Sequence, residues 1–226
     1  MDSNAHISKN FAARLCYHSY SNNPDWPGHA GNPLTLVQTI ETDTGIDAYV
    51  LKATNAEGFR FDILVIRGSD EKIDWENNYN LAGEKVYDSS CHEGFTNLTR
   101  ELMSRLRYSI DFVTGHSLGG AMAELFVAMN IVRHGGVAFG SPGVRRCWSE
   151  KLPPTRNFFR YILDGDVVGR IPLTFVSDAQ TFVYRKGEWI PYKKAKGYWK
   201  KAFNLVKGKE AMFKHHSINR YVEATQ

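Results

Sequence analysis

No stretch of this chain approaches the roughly 18 uninterrupted apolar residues that a membrane-crossing helix requires, and Met1 to Phe11 lacks the apolar centre of a secretion signal. Read by itself, the sequence is that of a soluble, intracellular protein. Cysteine is scarce: Cys16, Cys91 and Cys147 are odd in number, scattered and without Cys-x-x-Cys spacing, which excludes a disulfide framework and a zinc site of that type. The pair Cys91-His92 does not make a thiol nucleophile, because neighbours on an extended chain point to opposite faces. The formal net charge of +4 is too small to imply nucleic-acid binding, and no nucleic-acid module is recognisable. Linkers and internal repeats are also missing, so residues 1–226 read as one domain.

What is present suits a sizeable core, with 42% hydrophobic and 13% aromatic residues. The charge is uneven. Ten lysines and arginines lie between Arg185 and Lys214, opposed only by Glu188 and Glu210.

Phe11 to Tyr17 reads as a short helix and Ser21 to Pro33 as a loop. Leu34 to Ile40, Asp47 to Lys52 and Phe59 to Ile66 are β-branched or aromatic runs separated by turn residues, the pattern of an antiparallel meander. Leu98, Leu102 and Leu106 recur at helical spacing between Thr96 and Arg107. Val137 to Phe139 and Phe158 to Leu163 read as further strands, and Thr181 to Tyr184 with Trp189 to Tyr192 as a late hairpin around Lys186-Gly187. Antiparallel strands followed by alternating helices and strands predict an α/β class chain, with a mixed, mostly parallel sheet covered by helices on both faces.

The richest stretch is Gly115-His116-Ser117-Leu118-Gly119-Gly120. It lies between the apolar run Ile110 to Thr114 and the helix-forming run Ala121 to Arg133, so it joins strand to helix. That is the layout of a nucleophile elbow. Glycine on both sides of Ser117 relieves the crowding of a sharp bend, and the helix start aims N–H groups and positive dipole at the serine. The bland alternative is a glycine-rich turn with a capping serine. The order of acid and histidine candidates after Ser117 favours the elbow.

A serine hydroxyl is a poor nucleophile near neutrality, so a histidine must take its proton and an acid must orient that histidine. Of the eight histidines, His216 is favoured because it follows the candidate acids near the C-terminus, with His215 its immediate rival. Asp166 and Asp164 both sit where the Phe158 to Leu163 strand ends, the usual ligand side of an open α/β sheet, and Asp178 lies further on. Asp166 is preferred because Val167-Val168 would bury one side of its carboxylate, whereas Asp164 reads as a turn residue. Backbone N–H donors at the developing oxyanion are each worth roughly 3 to 4 kcal/mol of barrier. Leu118 supplies one by position. Ser69, after Leu64-Val65-Ile66-Arg67-Gly68, offers both N–H and hydroxyl for the second.

Arg67-Gly68-Ser69, Asp74-Trp75 with Asn78, His92-Glu93-Gly94-Phe95, the Thr114 to Gly120 elbow, Phe139-Gly140-Ser141-Pro142 and His216 to Tyr221 together resemble the class 3 lipase family, in family order from about Phe59 to Tyr221. The N-terminal third matches only loosely. The resemblance implies an α/β-hydrolase fold, an acyl-lipid ester substrate, Ser117 as nucleophile, Asp166 as acid, His216 as base, and Ser69 with Leu118 as oxyanion hole. It implies neither metal nor organic cofactor. Where the family tends to have Asp-x-Val-Pro, this chain has Asp166-Val167-Val168-Gly169. The family's lid falls on Asp70 to Asn78, here mostly charged, which predicts weak interfacial activation at about 25 cal/mol per Å² of apolar area. Lys193 to Lys214 has aromatics among lysines, a composition shared by helices that lie on anionic membranes and by ordinary surface helices. The expectation is a serine ester hydrolase. Its rivals are a silent hydrolase scaffold serving as a binding module, and a non-lipid esterase or thioesterase.

Overall fold

A computed structural model describes residues 7–42, 45–69, 83–153, 157–170, 174–192 and 215–226. The lid candidate Asp70 to Asn78 and the basic segment from Lys193 to Lys214 lie outside the described residues. Helix α1, Lys9–His18, starts where the Ser8 hydroxyl accepts from Phe11 N–H at 3.1 Å, and it buries Phe11, Ala12, Ala13, Leu15 and Cys16. Strands β1 (Thr35–Glu41), β2 (Asp47–Thr54) and β3 (Arg60–Ile66) form the expected antiparallel meander. Their alternating and β-branched residues fit a pleated surface with helices to cover it.

From β3 the sheet becomes parallel. β6 (Phe112–His116), β7 (Gly136–Phe139), β9 (Phe158–Leu163) and β11 (Gln180–Arg185) pair side by side in one direction, and β12 (Glu188–Pro191) closes the hairpin with β11. The order in the eight-stranded sheet is β1-β2-β3-β6-β7-β9-β11-β12. Helices cover both faces. On one lie α2 (Glu93–Arg105) and α3 (Leu118–Met129), whose Leu98, Leu102, Met122 and Leu125 pack on Val50, Leu64 and Val113. On the other lie α1 and the closing helix α4 (Ile218–Thr225), where Leu15, Ile218 and Tyr221 pack on Leu51, Ile63, Val65 and Phe139. This is the α/β-hydrolase arrangement. None of the described helices is long and apolar enough to cross a membrane.

Several boundaries move from their sequence-based positions, among them the end of α3, at Met129 rather than Arg133. Helix α2 begins at Glu93 rather than Thr96, because the His92 ring accepts from Phe95 N–H and stacks on the Phe95 ring at 4.0 Å. Strand β6 runs on to His116, held by parallel register of Gly115 with Ile66 and of His116 with Phe139. A second sheet, in the order β10-β8-β5-β4, joins β4 (Gly83–Val86), β5 (Ser89–His92), β8 (Arg145–Arg146) and β10 (Phe175–Val176). Strands of two to four residues with little alternation gave the sequence no pattern by which to show them.

Candidate active site

The elbow takes its shape from backbone strain and close packing. Ser117 has φ 57° and ψ −127°, a conformation that an L-residue occupies only when its surroundings dictate it. Its N–H donates to Phe139 carbonyl oxygen at 2.9 Å, which ties the turn to β7. Helix α3 presses so closely on β3 that a Cβ on Gly119 would lie 2.2 Å from the Ile66 carbonyl oxygen. Ser117 Oγ is buried and makes no hydrogen bond to another described residue. A buried hydroxyl without a partner is uncommon in a core and marks a group held for another use. Leu118 is the first residue of α3, so its N–H belongs to the free amides of a helix start.

Asp166 follows the turn after β9 and is fully buried. Its Oδ1 accepts from Val168 N–H at 2.9 Å, and its carboxylate accepts from His216 Nδ1 at 3.0 and 3.1 Å. The Tyr221 hydroxyl donates to Oδ2 at 2.5 Å and accepts from Leu163 N–H at 3.1 Å. Burial alone would push the Asp166 carboxyl upward, but His216, the Tyr221 hydrogen bond and His116 together hold it below the usual carboxylate range. It is therefore an anion that accepts only. With a proton on Nδ1 facing it, a neutral His216 carries its basic lone pair on Nε2.

The alternatives are placed elsewhere. His215 bonds Arg220 and its ring lies against Gly165, so it does not share the Asp166 carboxylate. Asp164 is exposed and faces Arg185 at 3.6 Å, and Asp178 grips Arg145 at 2.5 and 2.8 Å. Cys91 and His92 are buried side by side in β5, and burial pushes the Cys91 thiol up to about 12.

Two glycines bring these pieces together. A Cβ on Gly140, at the carboxyl end of β7, would meet Asp166 Oδ2, the Tyr221 hydroxyl and His216 Cε1 within 2.8 to 3.1 Å. A Cβ on Gly68 would lie 3.1 Å from Ser117 Cβ, which sets the Gly68-Ser69 segment against the nucleophile turn. His216 is drawn to the elbow by His116, whose ring stacks on its own at 4.7 Å. Ser69 is half-buried and follows Gly68 directly.

Beneath the site runs a polar network that sequence reasoning did not find. Arg160, buried on β9, donates to Ser141 and to the Gly169 carbonyl oxygen, the latter at 2.5 Å, and so braces the segments after β7 and after Asp166. Glu124 of α3 accepts from the Ser177 hydroxyl at 2.7 Å and from Asp178 N–H at 2.9 Å. A single carboxylate in the otherwise apolar, fully buried run of α3 was the available signal, since a buried carboxylate requires partners. The Tyr221–Asp166 hydrogen bond and the His116–His216 stack had no comparable signal.

A strand, a strained serine and a helix at the carboxyl ends of a mostly parallel sheet define the α/β-hydrolase class. The profile of the family described as Lipase (class 3) matches residues 63–176. The chain belongs to the class 3 lipase family. It is 34% identical over 132 residues to the secreted mono- and diacylglycerol lipase 1 of Fusarium solani, a match that covers 49% of this chain and 38% of that relative. The chain thus aligns with well under half of the relative's length. Its fold is similar to the crystal structure of Lip2 lipase from Yarrowia lipolytica, with TM-score 0.52 and 20% identity over 82% of this chain and 80% of that one. An intracellular location draws no support from the Fusarium protein, which is named as secreted.

Proposed function

We propose that this chain hydrolyses carboxylic esters of acyl lipids through an acyl-Ser117 intermediate. The observation that carries the reading is the buried His216–Asp166 hydrogen bond held against a strained serine elbow. His216 Nε2 takes the Ser117 proton as Oγ attacks the ester carbonyl. The tetrahedral oxyanion is met by the N–H groups of Leu118 and Ser69. Collapse breaks the acyl C–O bond, and the imidazolium returns its proton to the departing alkoxide. Water then repeats the cycle against the acyl-enzyme and releases the fatty acid. The scheme draws on no metal or organic cofactor.

Partial acylglycerols are the preferred substrate class in this reading, because the Fusarium relative is named as a mono- and diacylglycerol lipase. Contact with an anionic lipid surface through the Lys193 to Lys214 segment is proposed on its charge pattern alone. A silent scaffold is disfavoured, since it has no chemical need for Ser117, Asp166 and His216 together.

The test is hydrolysis of p-nitrophenyl esters of increasing acyl length and of mono- and diacylglycerols, by the wild-type chain and Ser117→Ala. Turnover that drops about 10⁴-fold or more in the variant supports the reading. A folded wild type inert toward every ester, or a variant as active as wild type, overturns it. Faster turnover of acyl thioesters than of oxygen esters would move the activity to thioester hydrolysis.

A further inference from the structure

Tyr20 lies just past α1, nearly 100 residues before the elbow, yet its hydroxyl is 2.8 Å from His116 Nδ1. The other nitrogen of that ring, Nε2, is 2.8 Å from the carbonyl oxygen of His216. A carbonyl only accepts, so His116 must carry its proton on Nε2, and its Nδ1 must accept from the Tyr20 O–H. The Tyr20 oxygen is also packed against the Gly68 backbone, where a Cβ would come within 2.4 Å of it. Every proton in this series has one direction. It runs from the Tyr20 hydroxyl to His116 and ends on the His216 backbone.

We propose that Tyr20 and His116 are positioning residues that lock the oxyanion segment and the catalytic base to the same ring, so that both meet Ser117 in register. The inference rests on the hydrolytic reading above. It seats the Tyr20 hydroxyl against Gly68, the residue before Ser69, on the segment that packs on Ser117. It fixes the His216 peptide from below, while Asp166 fixes the His216 side chain at Nδ1.

The stacking has an electrostatic side. His216 becomes a cation during each acyl transfer, and a second cation 4.7 Å away would oppose that step. Burial, and after it the neighbouring His216, lowers His116 to about 3, so the ring beneath the base is neutral throughout the working range. A neutral ring with fixed donor and acceptor supports the imidazolium without repelling it. Coupled groups of this kind lose function as a unit when one member is removed.

The experiment compares Tyr20→Phe, His116→Gln and the double variant with wild type on one soluble ester, with active sites counted by a fluorophosphonate that labels Ser117. Glutamine retains a donor at the reach of Nε2 but offers Tyr20 no acceptor at the position of Nδ1. Each single variant is expected to lose about 10-fold in kcat per titrated site with KM within about threefold, because positioning acts in the transition state. The double variant should lose no more than the worse single. Wild-type kcat in both singles, losses that multiply in the double, or a fall confined to the titratable fraction would overturn the relay. Imidazole nitrogen NMR decides it without turnover. A proton on His116 Nε2, with an Nδ1 resonance that moves in Tyr20→Phe, supports the relay, and a proton on Nδ1 overturns it even if no ester is a substrate.

Discussion

The hydroxyl of Tyr221 donates to Asp166 Oδ2 at 2.5 Å and accepts from Leu163 N–H at 3.1 Å, so one side chain of the last helix orients the carboxylate and closes the end of β9. Burial first, and then the adjacent Asp166 anion, raises the Tyr221 hydroxyl well above its ordinary value. It therefore stays a donor at any working pH.

Tyr221→Phe removes that donor and leaves the Leu163 amide unpaired in the core. Turnover should fall about 10-fold, and stability by about 1 to 3 kcal/mol. Urea unfolding alongside ester kinetics checks both. A variant as stable as wild type would show that another group takes up the amide.

Asp166→Asn preserves shape but no longer holds the Nδ1 proton. Loss of about 10⁴-fold in kcat is expected, with ester affinity little changed. His216→Ala should lose at least as much, whereas His215→Ala should stay within about threefold because His215 faces Arg220 rather than the carboxylate. Comparable losses in the two histidine variants would contradict this assignment.

Gly119→Ala would drive a methyl group into the Ile66 carbonyl, 2.2 Å away on a central strand. The cost should reach about 3 kcal/mol or more, because two packed backbones must separate. Gly187→Ala, in the exposed β11–β12 turn at φ 88°, meets no atom within 4 Å and should cost only about 1 kcal/mol of backbone strain. Thermal melts of the two variants compare them directly.

His92 is buried at the start of α2, and burial, followed by Arg146, lowers it from 6.5 to about 4. The unfolded chain takes up a proton here below pH 6.5 while the folded chain does not, so folding stability falls with pH from 6.5 toward 4. The slope is about 1.4 kcal/mol per pH unit for each such proton. His116 adds a second, reaching down to about 3. His92→Asn keeps an acceptor for the Phe95 amide but cannot titrate, so its stability profile should be shallower by about one proton's slope. Parallel profiles in urea unfolding between pH 7 and 4.5 would show that His92 is not protonated differently in the two states.

By itself the sequence determined what local chemistry controls. The meander of β1 to β3, strand β9 and the β11–β12 hairpin follow from β-branched runs between turn residues, and the elbow from a serine set between glycines. Ser117, Asp166 and His216 could be put in order because their sequence order limits the choices. Only the tertiary structure turned His216, and not His215, toward Asp166, since neighbouring residues differ mainly in where the fold points them. The same holds for the two-residue strands β8 and β10 of the second sheet, which gain their hydrogen bonds from distant partners, as Arg145 does from Cys91 and Val176. Tyr20, His116, Tyr221, Glu124 and Arg160 were illegible for one physical reason. Their roles are hydrogen bonds between separate segments of the chain, from 9 residues apart for Arg160 and Gly169 to 100 for His116 and His216, and local pattern carries no trace of such a bond until packing removes the water that would otherwise satisfy it.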